Sequence, residues 1–239
     1  MSPTPQVMPD PDTSLPGDLD AALARTDPDR WLSSRFAAGA EARRALVALY
    51  AFDQELARAP RSASTPLVGE MRLAWWGEVL AEMASGGPVR RHPVAQALAD
   101  AARTFSLDPG ALEALVDVRY RELDPRPLTL EEALEWADGS GGGCAVLAAA
   151  ILDPECDPGA ARAGGGAWSI GRLVRTAGLS LDAAQVPMET RLQAARAVTA
   201  RAFPAVAHAA LARARARGRP PSDLGDRLRL MGAVLTGRV

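Results

Sequence analysis

The chain has 239 residues and no lysine; all 27 of its basic side chains are arginine. This bias reads as the codon usage of a GC-rich genome rather than as a device of the protein. With 29 acidic residues the formal net charge is −2, so no global positive field exists to attract nucleic acid or anionic lipid. Aromatics make up only 5% of the chain. With alanine abundant, that scarcity favours closely packed helices over strands.

Cysteine is reduced to Cys144 and Cys156, in no CxxC and no Cys/His cluster. A disulfide framework and a zinc site are therefore not expected; two buried or half-buried thiols in a reducing cytosol are. The longest apolar run, Gly141 to Leu152, falls well short of the ~20 residues of a membrane span. No integral span is expected. Residues 1–16 are rich in Pro, Asp, Ser and Thr, with neither a basic n-region nor an apolar h-region. They read as a disordered N-terminal tail rather than a secretory signal, ahead of one domain over 17–239. The expected location is cytoplasmic, with peripheral contact with the inner membrane left open.

What is present is helical pattern. Hydrophobic residues at 48% can fill a core, and 23% charged residues is ordinary. A short helix is predicted at Asp18 to Ala24. In the helix predicted from Glu41 to Arg58, Leu46, Leu49, Tyr50, Phe52 and Leu56 fall on one buried stripe. Pro66 starts the next, to about Ala84. Further helices are predicted over Pro93 to Phe105 and, behind an Asp108-Pro109 cap, Pro109 to Leu123. Thr129 introduces Leu130 to Leu152, with acids in its first turn and a kink or close helix contact at Gly139 and Gly141 to Gly143. After a turn at Asp153 to Pro158 come a glycine-rich helix to about Gly178, a long stretch from Glu189 to Arg217 broken at Pro204, and a last helix from Ser222 to Leu235. Period-2 alternation, internal repeats and interdomain linkers are missing, so the fold class is all-α with a single domain.

The most distinctive stretch runs from Arg43 to Glu78. It holds Arg44, then Leu49-Tyr50-Ala51-Phe52, Glu55-Leu56-Ala57, and Gly69-Glu70-Met71-Arg72-Leu73-Ala74-Trp75-Trp76. Tandem tryptophans alone are usually core packing. The full string resembles the squalene/phytoene synthase family, in which an LYAF helix precedes a GExRLxWW helix. Weaker echoes follow in His92-Pro93-Val94, in Glu122-Leu123, and in Trp168 to Pro187, where Arg175 takes the family's arginine position and Val186-Pro187 stands in place of YLP. The resemblance covers about residues 30 to 187.

That resemblance implies an isoprenoid (terpenoid) synthase-like helical bundle around a deep central cavity. Active members join two prenyl diphosphates head to head, with Mg²⁺ held by two DxxxD motifs on facing helices. Residues i and i+4 share a helix face about 6 Å apart along the axis, so two carboxylates there can share hard cations that bridge to diphosphate. Aligned on Tyr50-Ala51-Phe52, the first motif's positions fall at Ala57 and Arg61. Aligned on Arg175, the second's fall at Thr176 and Ser180. None is a carboxylate. No catalytic residue, metal or cofactor is therefore expected, Mg²⁺ entering only if the chain is an enzyme with a rearranged site.

Substitute acids are few. Asp53 and Glu55 are two apart and point away from each other. Glu78 with Glu82, Glu113 with Asp117 and Glu131 with Glu135 have i,i+4 spacing but read as solvated faces. Glu122 suggests a structural ion pair with an arginine. Arg58, Arg61, Arg172 and Arg175 are candidate ligands of an anionic head group, since guanidinium grips phosphate without metal; the duller reading is a solvated surface. His92 and His208 lack ligand-like partners. The glycine runs at 139–143 and 164–166 lack the strand and lysine of a phosphate loop and read as close helix packing. Arg213, Arg215, Arg217 and Arg219 alternate sides of a helix and read as solvated rather than as a nucleic-acid stripe.

The expected function is non-catalytic binding or assembly, with respiratory-complex subunits or a prenyl lipid as partner and no nucleic acid. Glu55-Leu56-Ala57 in place of the acidic run is similar to the family's complex I assembly factor branch. Two alternatives stand beside it. One is a prenyltransferase condensing prenyl diphosphates, the other an isoprenoid or lipid carrier.

Overall fold

The computed structural model describes residues 19–219 and 222–239. The expected tail, 1–16, lies outside them, as does Asp18. Every regular element among the described residues is helical. The chain opens with α1 (Leu19–Thr26) and α2 (Pro28–Ser34), followed by α3 (Ala40–Arg61) and α4 (Pro66–Ala84). Then come α5 (Pro93–Phe105) and α6 (Pro109–Asp117), the latter running into a 3-10 turn, Val118–Leu123. A π-helical turn, Asp138–Gly142, joins α7 (Leu130–Ala137) to α8 (Gly143–Leu152). The last four helices are α9 (Pro158–Thr176), α10 (Leu181–Ala194), α11 (Ala212–Ala216) and α12 (Asp223–Thr236).

Local chemistry sets these boundaries. Asp27, Asp108 and Asp157 each precede a first-turn proline and cap a helix with the side chain. Proline costs nothing there, where the N–H has no intrahelical partner. Thr129 and Glu132 form a reciprocal capping box at α7. The stripe predicted on α3 is fully buried at Leu46, Leu49, Tyr50, Phe52 and Leu56. Trp76 packs edge-on to Phe52 at 5.2 Å, and His92 sits against both tryptophans at 5.5 and 5.2 Å. The tandem-Trp string is thus core packing between α3, α4 and the start of α5.

Two predictions are corrected. A helix was not expected at 28–34, although Asp27-Pro28 carries the same start signal as Asp108-Pro109. The long stretch from Glu189 to Arg217 is not one helix. Ser180 caps α10, which therefore starts eight residues earlier and ends at Ala194. The chain then folds through 3-10 turns at Ala195–Ala197, Phe203–Ala205 and Ala207–Leu211. Burial drives this departure: Phe203, Pro204, Val206 and Leu211 are buried, and Thr199 ties the turn to Asp153 at 2.7 Å. Pro187 lies inside α10.

At the centre runs α9, packed against α7, α8, α10, α11 and the π turn. Its glycines allow backbones to touch. A Cβ at Gly165 would collide with the Gly141 carbonyl of the π turn, and one at Gly171 would collide with the Ala212 carbonyl. Against this helix sits His208, buried, with Trp168 edge-on at 5.0 Å. Burial, aided by the nearby Arg30 charge, lowers its pKa from 6.5 to about 3. No helix among the described residues is long and apolar enough to cross a membrane.

Two tests follow from this packing. Gly165→Ala is expected to destabilise the fold by about 2 kcal/mol through overpacking. Gly77→Ala, where an added Cβ meets nothing, is expected to be neutral or mildly stabilising; urea midpoints decide. His208 binds its proton more readily in the unfolded chain, so its contribution to stability is complete above pH ~6.5 and falls as pH drops toward 3. Unfolding free energy is expected to decline by about 2 kcal/mol between pH 7 and pH 5 from this group. In His208→Gln that decline should vanish, whatever the variant's absolute stability.

Candidate ligand-binding cleft

Between α3 and α9 lies a narrow cleft, closed at its sides by Arg119 of the 3-10 turn and by Trp136 and Ser140 near the π turn. Asp53, Gln54, Ala57 and Arg61 line it from α3; Trp168, Arg172 and Thr176 line it from α9. Its free room is about 30 Å³, enough for a couple of waters and far too little for a farnesyl chain. The α9 glycines bring the π turn close, and Trp136 and Trp168 line the room that remains.

A buried ionic chain runs through the floor. Asp27 pairs with Arg30 at 2.5 Å, and Arg30 pairs with Asp53 at 2.8 Å. The other Asp53 oxygen pairs with Arg119 at 2.5 Å, and Arg119 reaches Glu122 at 2.8 Å. Arg61 stands at the rim, 3.7 Å from Glu122. Gln54 donates to Asp27 at 2.9 Å. Arg30 also lies over the Tyr50 and Trp168 rings at 5.0 and 4.9 Å and donates to the Cys144 sulfur at 3.3 Å. Burial pushes the Cys144 thiol up to about 12, so it stays protonated. Burial alone would raise the Asp53 pKa, but Arg119 and Arg30 outweigh it and hold the carboxyl well below the usual carboxylate range.

Above this floor the donors are not all used. Arg172 rests over Trp168 at 4.6 Å and makes no ion pair among the described residues. Burial lowers its pKa; Asp27 offsets this, while the like charges of Arg30 and Arg61 add to the lowering. The indole N–H of Trp136 and the Nε of Arg119 are buried without acceptors. The cleft therefore presents positive charge and spare N–H groups, with one lining carboxylate that two arginines already occupy.

Of the positions aligned with the family's aspartates, Ala57, Arg61 and Thr176 line the cleft, while Ser180 caps α10 outside it. The Thr176 hydroxyl is turned back onto the Arg172 carbonyl at 3.0 Å. Among the four candidate arginines, Arg61 and Arg172 meet at the cleft. Arg58 instead lies 3.6 Å from Glu55, and Arg175 is exposed. Helix geometry explains the split, since residues 57 and 61, or 172 and 176, share a face while 58 and 175 are each rotated about 100° off it. Arg30, Arg119 and Trp136 were not singled out from the sequence. The i,i+3 pairs Asp27/Arg30 and Arg119/Glu122 were the signal available.

The other acids are placed as their spacing suggested. Arg90 clamps both Glu78 and Glu82, at 2.7 and 2.8 Å, and Glu113, Asp117, Glu131 and Glu135 are exposed. Arg215 is the exception among the alternating arginines. It is buried and paired with Asp29 and Asp226 at 2.5 and 2.6 Å, so it is structural rather than solvated. Among the described residues no three His, Cys, Asp or Glu side chains are grouped to hold a metal. The residues present thus do not fit an Mg²⁺–diphosphate centre: the aligned positions carry no carboxylate, and Asp53 is taken. A roomier hollow of about 500 Å³ lies among α4, α5 and α6. Its walls are apolar apart from Arg103, which pairs with Asp100 at 2.7 Å.

Comparison with known proteins places this architecture. Residues 23–216 match the family model described as squalene/phytoene synthase. A dehydrosqualene synthase crystal structure superposes with a TM-score of 0.71 at 12% identity, covering 92% of this chain and 94% of that one. The squalene synthase HpnC from Alicyclobacillus acidocaldarius gives 0.58 at 15% identity, covering 92% and 93%. At such identities these likenesses show the fold alone. Two curated relatives, complex I assembly factor 6 of Mus musculus and of Bos taurus, are 30% and 31% identical over 114 residues. Those matches take in 47% of this chain, which spans about a third, 34%, of the relatives' length. An all-helical fold, the cleft between α3 and α9, and a family match over most of the chain lead to one statement: the chain belongs to the squalene/phytoene synthase family.

Proposed function

We propose that this chain is a non-catalytic member of its family that acts by binding, in the cytoplasm, as an assembly protein for respiratory complex I. One observation carries the reading. Asp53, the only carboxylate lining the cleft among the described residues, is held at 2.8 and 2.5 Å by Arg30 and Arg119. A carboxylate so paired would have to abandon two buried guanidinium groups before it could ligate a cation, a cost of several kcal/mol. The similarity to the mouse and cattle assembly factors supports the partner class. Room of about 30 Å³ counts against both a prenyltransferase and a prenyl carrier using this cleft.

The spare donors support a subsidiary role for the cleft. Arg172 and Arg61, with Trp136 and Arg119 behind them, take a small oxyanion without metal. A phosphate group or a carboxylate has the required chemistry.

Incubation with farnesyl or geranylgeranyl diphosphate and Mg²⁺ is expected to release no pyrophosphate, and affinity capture from native cells should recover complex I subunits. Pyrophosphate release abolished by EDTA would establish the enzyme instead. For the oxyanion, inorganic phosphate at constant ionic strength and without Mg²⁺ is expected to raise the melting temperature by a few degrees at saturation. Arg172→Gln should remove that shift. An unchanged melting temperature in the parent protein excludes the site.

A further inference from the structure

The last helix has two contrasting faces. On one, Leu230 and Ala233 are buried, and Asp226 accepts from Arg215 at 2.6 Å and from the Ser222 backbone at 2.8 Å. This face docks α12 onto α2 and the 207–211 turn. On the other, Leu224, Leu228, Met231 and Leu235 are 72, 60, 48 and 83% exposed. Their spacing of four, three and four places all four on one stripe of the helix. Single exposed leucines are ordinary, but a continuous apolar stripe marks a contact surface.

The charges around the stripe indicate what covers it. Arg217 and Arg219 are exposed in the segment before α12, Arg227 and Arg238 are exposed on or beyond the helix, and none of the four forms an ion pair among the described residues, although the Arg217 charge reaches Glu189. Their neighbours behave differently. Arg213 pairs with Glu189, while Arg215 and Arg229 pair with Asp226. From 217 to 239 the sequence has only two acids, Asp223 and Asp226, and the second is committed to the docked face. An apolar stripe with Arg227 beside it, in a segment whose arginines outnumber its acids, complements a surface that is anionic outside and hydrocarbon beneath. A second copy fits less well, because its own 217–239 segment would bring five more arginines and only Asp223 and Asp226 as acids.

We propose that α12 lies flat on an anionic lipid bilayer, inserting Leu224, Leu228, Met231 and Leu235 below the head groups while Arg217, Arg219, Arg227 and Arg238 meet lipid phosphates. Fourteen residues make a rod of about 21 Å, which suits lying in the interface and is too short to span. The stripe faces away from the α3–α9 core, and the inference does not depend on the function of the cleft. The chain's overall charge of −2 conceals this local excess, so binding should depend on salt.

The test is co-sedimentation of the full protein with vesicles of phosphatidylcholine alone and of phosphatidylcholine with phosphatidylglycerol. Binding is expected to the anionic vesicles, weakening as salt rises. Leu228→Glu with Leu235→Glu should lower partitioning by about tenfold or more. Both sites are exposed, so circular dichroism should remain that of the parent. Arg217→Gln with Arg227→Gln should lower binding to anionic vesicles and flatten its salt dependence. Three results would overturn the proposal: no binding to anionic vesicles, binding unaltered by the paired Leu→Glu change, or a dimer that this change dissociates while vesicle binding stays absent.

Discussion

The pairing of Asp53 with Arg30 and Arg119 ties the rest of the molecule together. Asp53 comes from α3, Arg30 from α2 and Arg119 from the turn after α6, so two short contacts fasten three parts of the chain. Placing these charges in the interior costs several kcal/mol per ion unless every partner is present. The chain meets that condition by extension, with Asp27 and Gln54 on one side and Glu122 and Arg61 on the other. Removing any one partner would leave a buried charge uncompensated, so the network joins α3 to its neighbours even where its net contribution to stability is small. It also engages, in structure, the one carboxylate that faces the cleft among the described residues.

The size of that cleft follows from a second constraint. Close approach of α9 to the π turn depends on Gly165 and Gly141, neither of which can carry a Cβ without collision. Trp168, held by its N–H to Asp29 at 3.1 Å, then projects toward Arg30 and carries Arg172 on its ring. Space that a wider bundle would leave open is occupied by stacked guanidinium and indole groups. The narrowness of the cleft and the absence of carboxylates at Ala57, Arg61 and Thr176 coincide at the same place, and the proposed binding role rests on both.

Much of this was legible in the sequence. Helix starts at Pro66, Pro93, Pro109 and Leu130 were marked by local caps and first-turn prolines, and the stripe on α3 by its spacing. The glycine runs were read as close packing, as the α9 contacts require. Where local signals fell silent, the reading failed. The stretch after Ala194 is alanine- and arginine-rich and suits a helix, but burial of Phe203, Pro204 and Val206 overrides that propensity with tight turns. At the site, i,i+4 spacing placed Ala57 with Arg61, but the Thr176 and Ser180 positions part because α9 ends at Thr176 and Ser180 caps α10. The partners that give the cleft its character, Arg30 and Arg119, come from distant segments, and only the fold brings them to Asp53.

Arginine being the sole strong base, its environment rather than its identity assigns its role. Where carboxylates surround it, as at Arg30, Arg119 and Arg215, the guanidinium is buried and works as a structural joint. Where burial meets like charge instead, as at Arg172, its pKa falls and its donors remain open, so a bound anion would relieve both. Where neither holds, at Arg219, Arg227 and Arg238, the charge stays in solvent in the segment that carries the apolar stripe. Composition and net charge average over all three situations, which is why a chain of charge −2 can present two separate surfaces suited to anions. The decisive variable is the local balance between guanidinium groups and the carboxylates within reach of them.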